Sequence, residues 1–181
     1  MKHISIKEKY SKEAVVAMKE KFGFKNILQV PQIEKVIVNA GIGKYINDSG
    51  IVKDIVASME EITGQKAILT KSRKSIAGFK IRDGLEVGIK TTLRGKRMWQ
   101  FIDRLVSSAI PRIKDFQGIK NSSIDANGNL NIGLKDQTIF PEVMAEDVKH
   151  TFSFQIVVVT DAKNREEGME LFRVLGFPII K

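Results

Sequence analysis

The turn "NAGIGK", residues 39–44, is the stretch whose spacing comes nearest to a catalytic or nucleotide-binding motif. It follows a β-branched run and precedes a predicted helix, which is the setting of a phosphate-binding loop. A P-loop needs four residues between its glycines and a Ser or Thr after the lysine, whereas one residue separates Gly41 from Gly43 and Tyr45 follows the lysine. A dinucleotide-binding fingerprint needs a small residue where Ile46 stands. The pattern therefore favours a strand-ending turn, whose glycines would also let RNA approach the backbone closely.

Other side chains that could do chemistry are scattered. His3 and His150 lie far apart in the sequence without further ligands at metal spacing, so both are predicted at the surface. Adjacent carboxylates point in different directions and are expected on solvated faces, at Glu60-Glu61, Glu146-Asp147 and Glu166-Glu167. The absence of cysteine excludes a disulfide, a thiolate metal site and a cysteine nucleophile. The sequence therefore predicts no catalytic residues, no metal and no cofactor, and disfavours an enzyme.

Positive charge is concentrated in one segment. The net charge is +9, and residues 66–97 contain ten basic and two acidic residues, which is +8 of that total. The other 20 basic and 19 acidic residues leave the rest of the chain at +1. A solvated face is the usual explanation of a basic run, but a one-sided excess creates a field that favours a polyanion. The segment is therefore predicted to bind nucleic acid.

Two aromatic residues lie within or beside this charge. Trp99 follows "RGKR" and is predicted to be a half-buried helix residue, with stacking on a base as the less favoured alternative. Phe79 stands between Gly78 and Lys80 in a stretch without apolar periodicity. Contact with RNA and local packing both stay open for Phe79.

Neither secretion nor a membrane span is indicated by the sequence. The N-terminal stretch has no apolar h-region, and the longest apolar runs, such as "IVVV", are only a few residues, far shorter than a bilayer-spanning helix. Hydrophobic residues make up 43% of the chain, enough for a core. We expect a cytoplasmic protein folded as one domain over residues 1–181.

Four helices are indicated by their capping and stop residues. Ser5 with Glu8, and Asn164 with Glu167, have the spacing of a capping box. The helices are predicted to start near Ser5, Asp48, Gly95 and Asn164, and to end at Gly23, Gly64, Pro111 and Gly176.

The predicted strands fall between these helices, in "EKVIVNAG", "KAILTK", "LEVGIKTTLR", on both sides of the Asn127-Gly128 turn, and in "FSFQIVVVT". In "LEVGIKTTLR" the alternation puts Lys90, Thr92 and Arg94 on the polar face. The order predicts an α+β fold with a mainly antiparallel sheet, helices packed on one face, and a long basic loop. In outline this is ferredoxin-like or RRM-like.

Several long stretches resemble the bacterial-type ribosomal protein L5 family. They are "QVPQIEKVIVNAGIG", "TGQKAILTKSRKSIAGFKIRDG", "TLRGKRMWQFIDRLVSSAIPRIKDFQG", "TIFPE" and "LGFPIIK", in one register from about Tyr10 to Lys181. The resemblance implies a non-catalytic, ribosome-bound constituent of the large subunit that binds 5S rRNA and helps to build the central protuberance. It also implies contacts with 23S rRNA, neighbouring central-protuberance proteins, peptidyl-site tRNA and a small-subunit head protein at an intersubunit bridge.

The resemblance also assigns residues to two surfaces. The 5S rRNA surface would use Asn39, Gly41, Gln65, Lys66, Thr92 and Arg94. The loop at about residues 72–83 would contact tRNA through Lys74, Phe79, Lys80 and Arg82. The chain departs from many relatives at Gln32, Ala40 and Lys44, where Arg, Met and an acidic residue are common. Contact assignments at the "NAGIGK" turn are the ones that these departures affect.

Two other classes of function stay open from the residues alone. One is an RNA-processing or nucleotide-using enzyme built on a similar sheet, which would need a converging catalytic or phosphate site. The other is a membrane-surface or acidic-protein binder attracted by charge alone. Turnover of RNA or nucleotide would indicate the first, and indifference between 5S rRNA and an unrelated RNA would indicate the second.

Overall fold

A five-stranded sheet and four helical segments make up the part of the chain that the computed structural model describes, residues 4–46, 48–144, 146, 148 and 150–180. The strands, in the order β2-β3-β1-β5-β4 across the sheet, are β1 (Ile33–Gly41), β2 (Ile68–Lys71), β3 (Glu86–Leu93), β4 (Leu130–Leu134) and β5 (Phe154–Thr160). β2 and β3 pair antiparallel, with Ile68 opposite Lys90. The α+β prediction with a mainly antiparallel sheet is confirmed.

The helical segments agree with the predicted starts and stops. Segment α1 comprises Ile6–Lys9, a π-helical turn Tyr10–Ala14 and Val15–Phe22; α2 is Ser49–Thr63; α3 comprises Gly95–Arg104, a π-helical turn Leu105–Ala109 and a 3₁₀ turn Ile110–Arg112; α4 is Arg165–Leu175. Asp48 caps α2 by accepting hydrogen bonds from the backbone N–H groups of Gly50 and Ile51. Gly23, Gly64 and Gly176 end α1, α2 and α4 in the left-handed conformation that glycine adopts without steric cost. None of the described helices is long and apolar enough to cross a membrane.

Several local predictions differ from the structure in detail, among them the solvated position expected for Glu167, which is buried. The side chain of Asn164 makes no capping hydrogen bond to α4, and the Glu167 carboxylate instead accepts from the backbone N–H of Lys163 at 3.1 Å. The Asn127-Gly128 turn forms, but the predicted strand before it is reduced to a single bridge between Ile124 and Leu130.

The carboxylate of Asp125 explains the shortened hairpin. It accepts hydrogen bonds from the backbone N–H groups of Asn127 and Asn129 and from the Asn129 side chain. A local side-chain bond of this kind offers the backbone an alternative to the strand ladder. Residues Asn121–Ser123, before this turn, form a 3₁₀ turn in place of a strand.

The chain divides into two compact units, whose described residues lie within 4–36, 94–132 and 157–180 in the first, and within 37–93 and 133–156 in the second. In the first unit the apolar faces of α1, α3 and α4 bury Met18, Phe101 and Phe172 completely.

The Tyr10 and Trp99 rings lie 5.7 Å apart, and Tyr10 donates to the carbonyl of Pro31 at 3.2 Å. Burial, reinforced by the charge of Asp161, raises the pKa of Tyr10. Trp99 is thus half-buried, as predicted.

The second unit has its own core, in which α2 and β3 bury Ile55, Met59 and Ile89. The buried side chain of Gln137 fixes the backbone at residues 150–152 of this unit. Its amide donates to the carbonyl of His150 at 2.7 Å and accepts from the N–H of Phe152 at 3.0 Å. Both ends of this amide are satisfied, so its burial carries little cost.

Thr91 of β3 is buried in this core, and its hydroxyl has no hydrogen-bond partner among the described residues. Thr91→Val should therefore raise the free energy of unfolding by about 1 kcal/mol, because valine has nearly the same shape and leaves no polar group unsatisfied. Urea unfolding followed by circular dichroism measures the change. The matched control is Thr92→Val on the half-buried side of the same strand, where no comparable gain is expected. A loss of stability in the Thr91 variant would contradict the assignment.

Candidate RNA-binding surface

The two faces of β3 carry different chemistry. Ile89, Thr91 and Leu93 are buried, whereas Lys90 is exposed and Thr92 is half-buried; Arg94, the residue after the end of the strand, is exposed. Successive side chains of a strand point to opposite sides, so burial of one set exposes the other. The predicted polar face of this strand is confirmed.

The end of β1 is open in the same way. Asn39 and Gly41 are exposed, while Val38 and Ala40 are buried between them. A Cβ atom built on Gly41 would meet no described atom within 4 Å, and its φ lies outside the left-handed region. The fold itself therefore gives no reason for glycine at this position. Close approach of another molecule to this part of the backbone would be a reason for glycine, because a side chain would stand in its way.

Gln65 and Thr92 are brought together by a hydrogen bond. The Gln65 side-chain amide donates to the backbone carbonyl of Thr92 at 3.0 Å. The turn that carries Gln65 is fixed in turn by the Thr63 hydroxyl, which donates to the carbonyls of Met59 and Gln65 at 2.7 and 3.1 Å. Gln65 thus ties the end of α2 to β3, a positioning role that its sequence context did not indicate. Lys66, beside it, is exposed.

Arg94, in the first unit, forms an ion pair that the sequence did not reveal. Its guanidinium lies 3.2 Å from the Glu34 carboxylate, and the Lys35 ammonium lies 3.4 Å from the same oxygen. The hydrogen bond from Arg94, with the charge of Lys35 beside it, lowers the pKa of Glu34. All three side chains reach solvent, and exposed ion pairs of this kind contribute little to stability. A phosphate can therefore compete with Glu34 for Arg94.

The basic loop between β2 and β3 has a defined backbone structure. Ile76 and Ile81 form an antiparallel bridge with two hydrogen bonds of 2.9 and 3.1 Å, closing a short 3₁₀ turn at Ala77–Phe79. At its base, Ser72 donates from its N–H to the carbonyl of Leu85 at 2.7 Å. The predicted basic loop thus contains a hairpin that extends the sheet.

The hairpin presents its charges and its aromatic ring outward. Lys74, Lys80 and Arg82 are all exposed, and 74% of Phe79 is accessible to solvent. Lys80 adopts the left-handed conformation, with φ of +54°. Local packing therefore does not bury Phe79, which removes one of the two explanations left open by the sequence.

The described residues contain no cluster of three His, Asp or Glu side chains able to hold a metal ion. His150 is exposed, as predicted, while His3 and Asp147 lie outside the described residues. The "NAGIGK" turn forms the end of β1 and a 3₁₀ turn at Gly43–Tyr45. These features define the class: an α+β protein whose described, exposed groups suit a polyanion and do not converge on a catalytic constellation.

Comparison with known proteins identifies the family. Residues 26–82 match the family described as Ribosomal protein L5, and residues 86–179 match the model for the C-terminus of the same ribosomal family. The chain belongs to the ribosomal protein L5 family.

Its relatives include the large ribosomal subunit protein uL5 of several bacteria. It is 46% identical to the one from Desulforamulus reducens, over 97% of each chain. It is 43% identical to the one from Streptococcus thermophilus, over 97% of this chain and 98% of the relative, and 43% identical to the one from Streptococcus pyogenes serotype M49 over the same shares. The protein is therefore a structural constituent of the large ribosomal subunit and not an enzyme. Ribosomal RNA and ribosomal proteins are its partners, and its place is the ribosome in the cytoplasm.

Removing the Arg94 guanidinium should move the pKa of Glu34 back up toward its ordinary value. A carboxylate whose folded pKa is lowered contributes stability above its unfolded pKa and loses it as pH falls through the folded value. In Arg94→Gln the Glu34 titration, followed by carbon NMR of its carboxyl group, is therefore expected at higher pH than in the wild type. Lys96→Gln, which removes a nearby exposed cation not paired with Glu34, is the control. An unchanged Glu34 titration in Arg94→Gln would show that the pair does not form in solution.

Proposed function

We propose that this protein binds 5S rRNA and so helps to build the central protuberance of the large subunit. The observation that carries the proposal is the polar outer side of β3 and the open end of β1. The residues proposed to contact 5S rRNA are Asn39, Gly41, Gln65, Lys66 and Thr92 in the second unit, and Arg94 in the first.

The chemistry of these residues suits an RNA helix. The Asn39 amide and the Thr92 hydroxyl can hydrogen-bond 2′-OH groups and base edges, and the 2′-OH distinguishes RNA from DNA. Lys66 and Arg94 can neutralise phosphates, and Arg94 can do so with two parallel hydrogen bonds. Gly41 adds a place where a sugar or phosphate can approach the backbone. Gln65 acts mainly by fixing β3, since its amide nitrogen is already bonded to Thr92.

We further propose that the hairpin at residues 72–83 contacts tRNA in the peptidyl site. Support comes from its cations Lys74, Lys80 and Arg82 and from its exposed ring, Phe79. A closed hairpin that extends from the sheet can reach a second RNA without disturbing residues on the strands. Contacts with 23S rRNA, neighbouring central-protuberance proteins and a small-subunit head protein at an intersubunit bridge complete the proposed assembly.

The double variant Thr92→Val with Arg94→Gln should weaken binding of isolated 5S rRNA by about tenfold, because it removes one hydroxyl contact and one phosphate contact. The slope of log affinity against log salt should become shallower by about 0.7–0.9, the contribution of one phosphate contact. Filter binding at several salt concentrations measures both quantities. Arg112→Gln removes one exposed charge outside the proposed surface and should change affinity little. Wild-type affinity and slope in the double variant would refute the assignment.

The triple variant Lys74→Gln, Lys80→Gln and Arg82→Gln should leave 5S rRNA affinity within about threefold of wild type, because the hairpin is proposed to face another RNA. Ribosomes that carry it should show altered protection of peptidyl-site tRNA in chemical footprinting. Ribosomes carrying Arg112→Gln serve as the control. If the triple variant instead abolished 5S rRNA binding, the division into two surfaces would be wrong.

A further inference from the structure

A cavity of about 620 Å³ lies in the second unit, beside the hairpin. Its lining includes Gly41, Lys44 and Tyr45 from the turn after β1, and Phe79 from the hairpin. Lys135 and the segment of residues 151–153 also line it. Its volume falls within the range of about 300–1,000 Å³ that is typical of small-ligand sites.

The wall formed by residues 151–153 is held in place by internal hydrogen bonds. The buried Gln137 amide bonds the backbone on both sides of Thr151, at His150 and Phe152. The Tyr45 hydroxyl donates to the carbonyl of Thr151 at 3.5 Å. The exposed hydroxyl-bearing residues Thr151 and Ser153 therefore stand on a braced backbone.

The charge of this cavity is one-sided. Among the described residues its lining contains two exposed lysines, Lys44 and Lys135, and no carboxylate. A second cavity of the same unit, of about 290 Å³, has the opposite character, since its lining includes Asp54, Glu61 and Glu142. The larger cavity thus favours an anion, and the exposed ring of Phe79 adds a flat apolar surface at its edge.

From this combination we infer that the cavity accepts an unpaired nucleotide of an RNA strand, with the base against Phe79 and the phosphate between Lys44 and Lys135. Cations that follow the backbone, together with an aromatic ring that stacks on a base, are what single-strand binding requires. A base inside a duplex is already stacked on its neighbours and presents no free face. This inference rests on the proposed function, which brings RNA to both walls of the cavity, to the turn through Gly41 and to the hairpin through Phe79.

A short single-stranded RNA tests the inference directly. The probe is a heptanucleotide with one central 2-aminopurine, whose fluorescence falls when the base stacks, and the comparison is the same sequence locked in a duplex. Wild-type protein should quench the single strand and bind it at least about fivefold more tightly than the duplex.

Two sets of variants, here called the cavity variants, test the two parts of the site. Phe79→Leu, which keeps an apolar side chain, should remove most of the quenching. Lys44→Gln with Lys135→Gln should weaken binding at least about fivefold more than the charge-matched control. That control is Lys12→Gln with Lys163→Gln, whose residues are exposed in the other unit.

Three results would overturn the inference. Equal loss in the control pair would show attraction by net charge alone. Equal affinity for duplex and single strand would show that no unpaired base is needed. Displacement of the probe by a short polyglutamate peptide at matched charge, but not by unlabelled single strand, would make the cavity a site for an acidic protein segment.

The same assays separate this inference from the proposed function. If the cavity variants bind the heptanucleotide normally while Thr92→Val with Arg94→Gln loses 5S rRNA, the cavity assignment fails and the 5S assignment stands. If the cavity variants no longer bind the heptanucleotide while Thr92→Val with Arg94→Gln binds 5S rRNA normally, the cavity assignment stands and the 5S assignment fails.

Discussion

Burial of one side of β3 is the constraint on which the exposed chemistry depends. Ile89 and Leu93 are completely enclosed, and this fixes the strand so that Lys90 and Thr92 lie on the other side. A slip of one residue would exchange the two sets and bury Lys90 and Thr92, so the register is strongly specified. The Gln65 hydrogen bond to the Thr92 carbonyl then secures the end of the strand. The core of the second unit thus determines which side chains of β3 face outward.

The two proposed RNA surfaces depend on different kinds of support. Residues of the strands are held by the sheet, so they can be placed accurately for hydrogen bonds to an RNA helix. The hairpin is held by its own bridge at Ile76 and Ile81 and by its base at Ser72, and its lysines are exposed. Such a segment suits contacts made mainly by charge, which tolerate small changes in position. Shape recognition and electrostatic reach are therefore assigned to structurally different parts of one chain.

Much of this arrangement could be predicted from the sequence, because the relevant patterns are local. The alternation in β3 and the glycine stops of α1, α2 and α4 depend on periodicity and on φ angles that few residues adopt. The Arg94–Glu34 pair and the double hydrogen bond of Gln137 join residues distant in the chain, and no local pattern reveals them. The basic loop was predicted, but not the hairpin within it, because a single bridge between Ile76 and Ile81 is too short to leave an alternating pattern in the sequence. At Asn164 and Asp125, competing side-chain bonds altered the expected cap and strand.

Gly41 separates the requirements of folding from those of assembly. Its φ angle is one that other amino acids also adopt, and a Cβ atom at this position would meet no described atom within 4 Å. A side chain there would therefore disturb nothing in the described part of the chain. The isolated protein would fold as readily with alanine at this position. Any selection for glycine would then act only through the assembled particle, as a requirement imposed by a neighbour rather than by the fold. A survey of mutations scored by solubility would pass over such a position, although it lies where two molecules are proposed to meet.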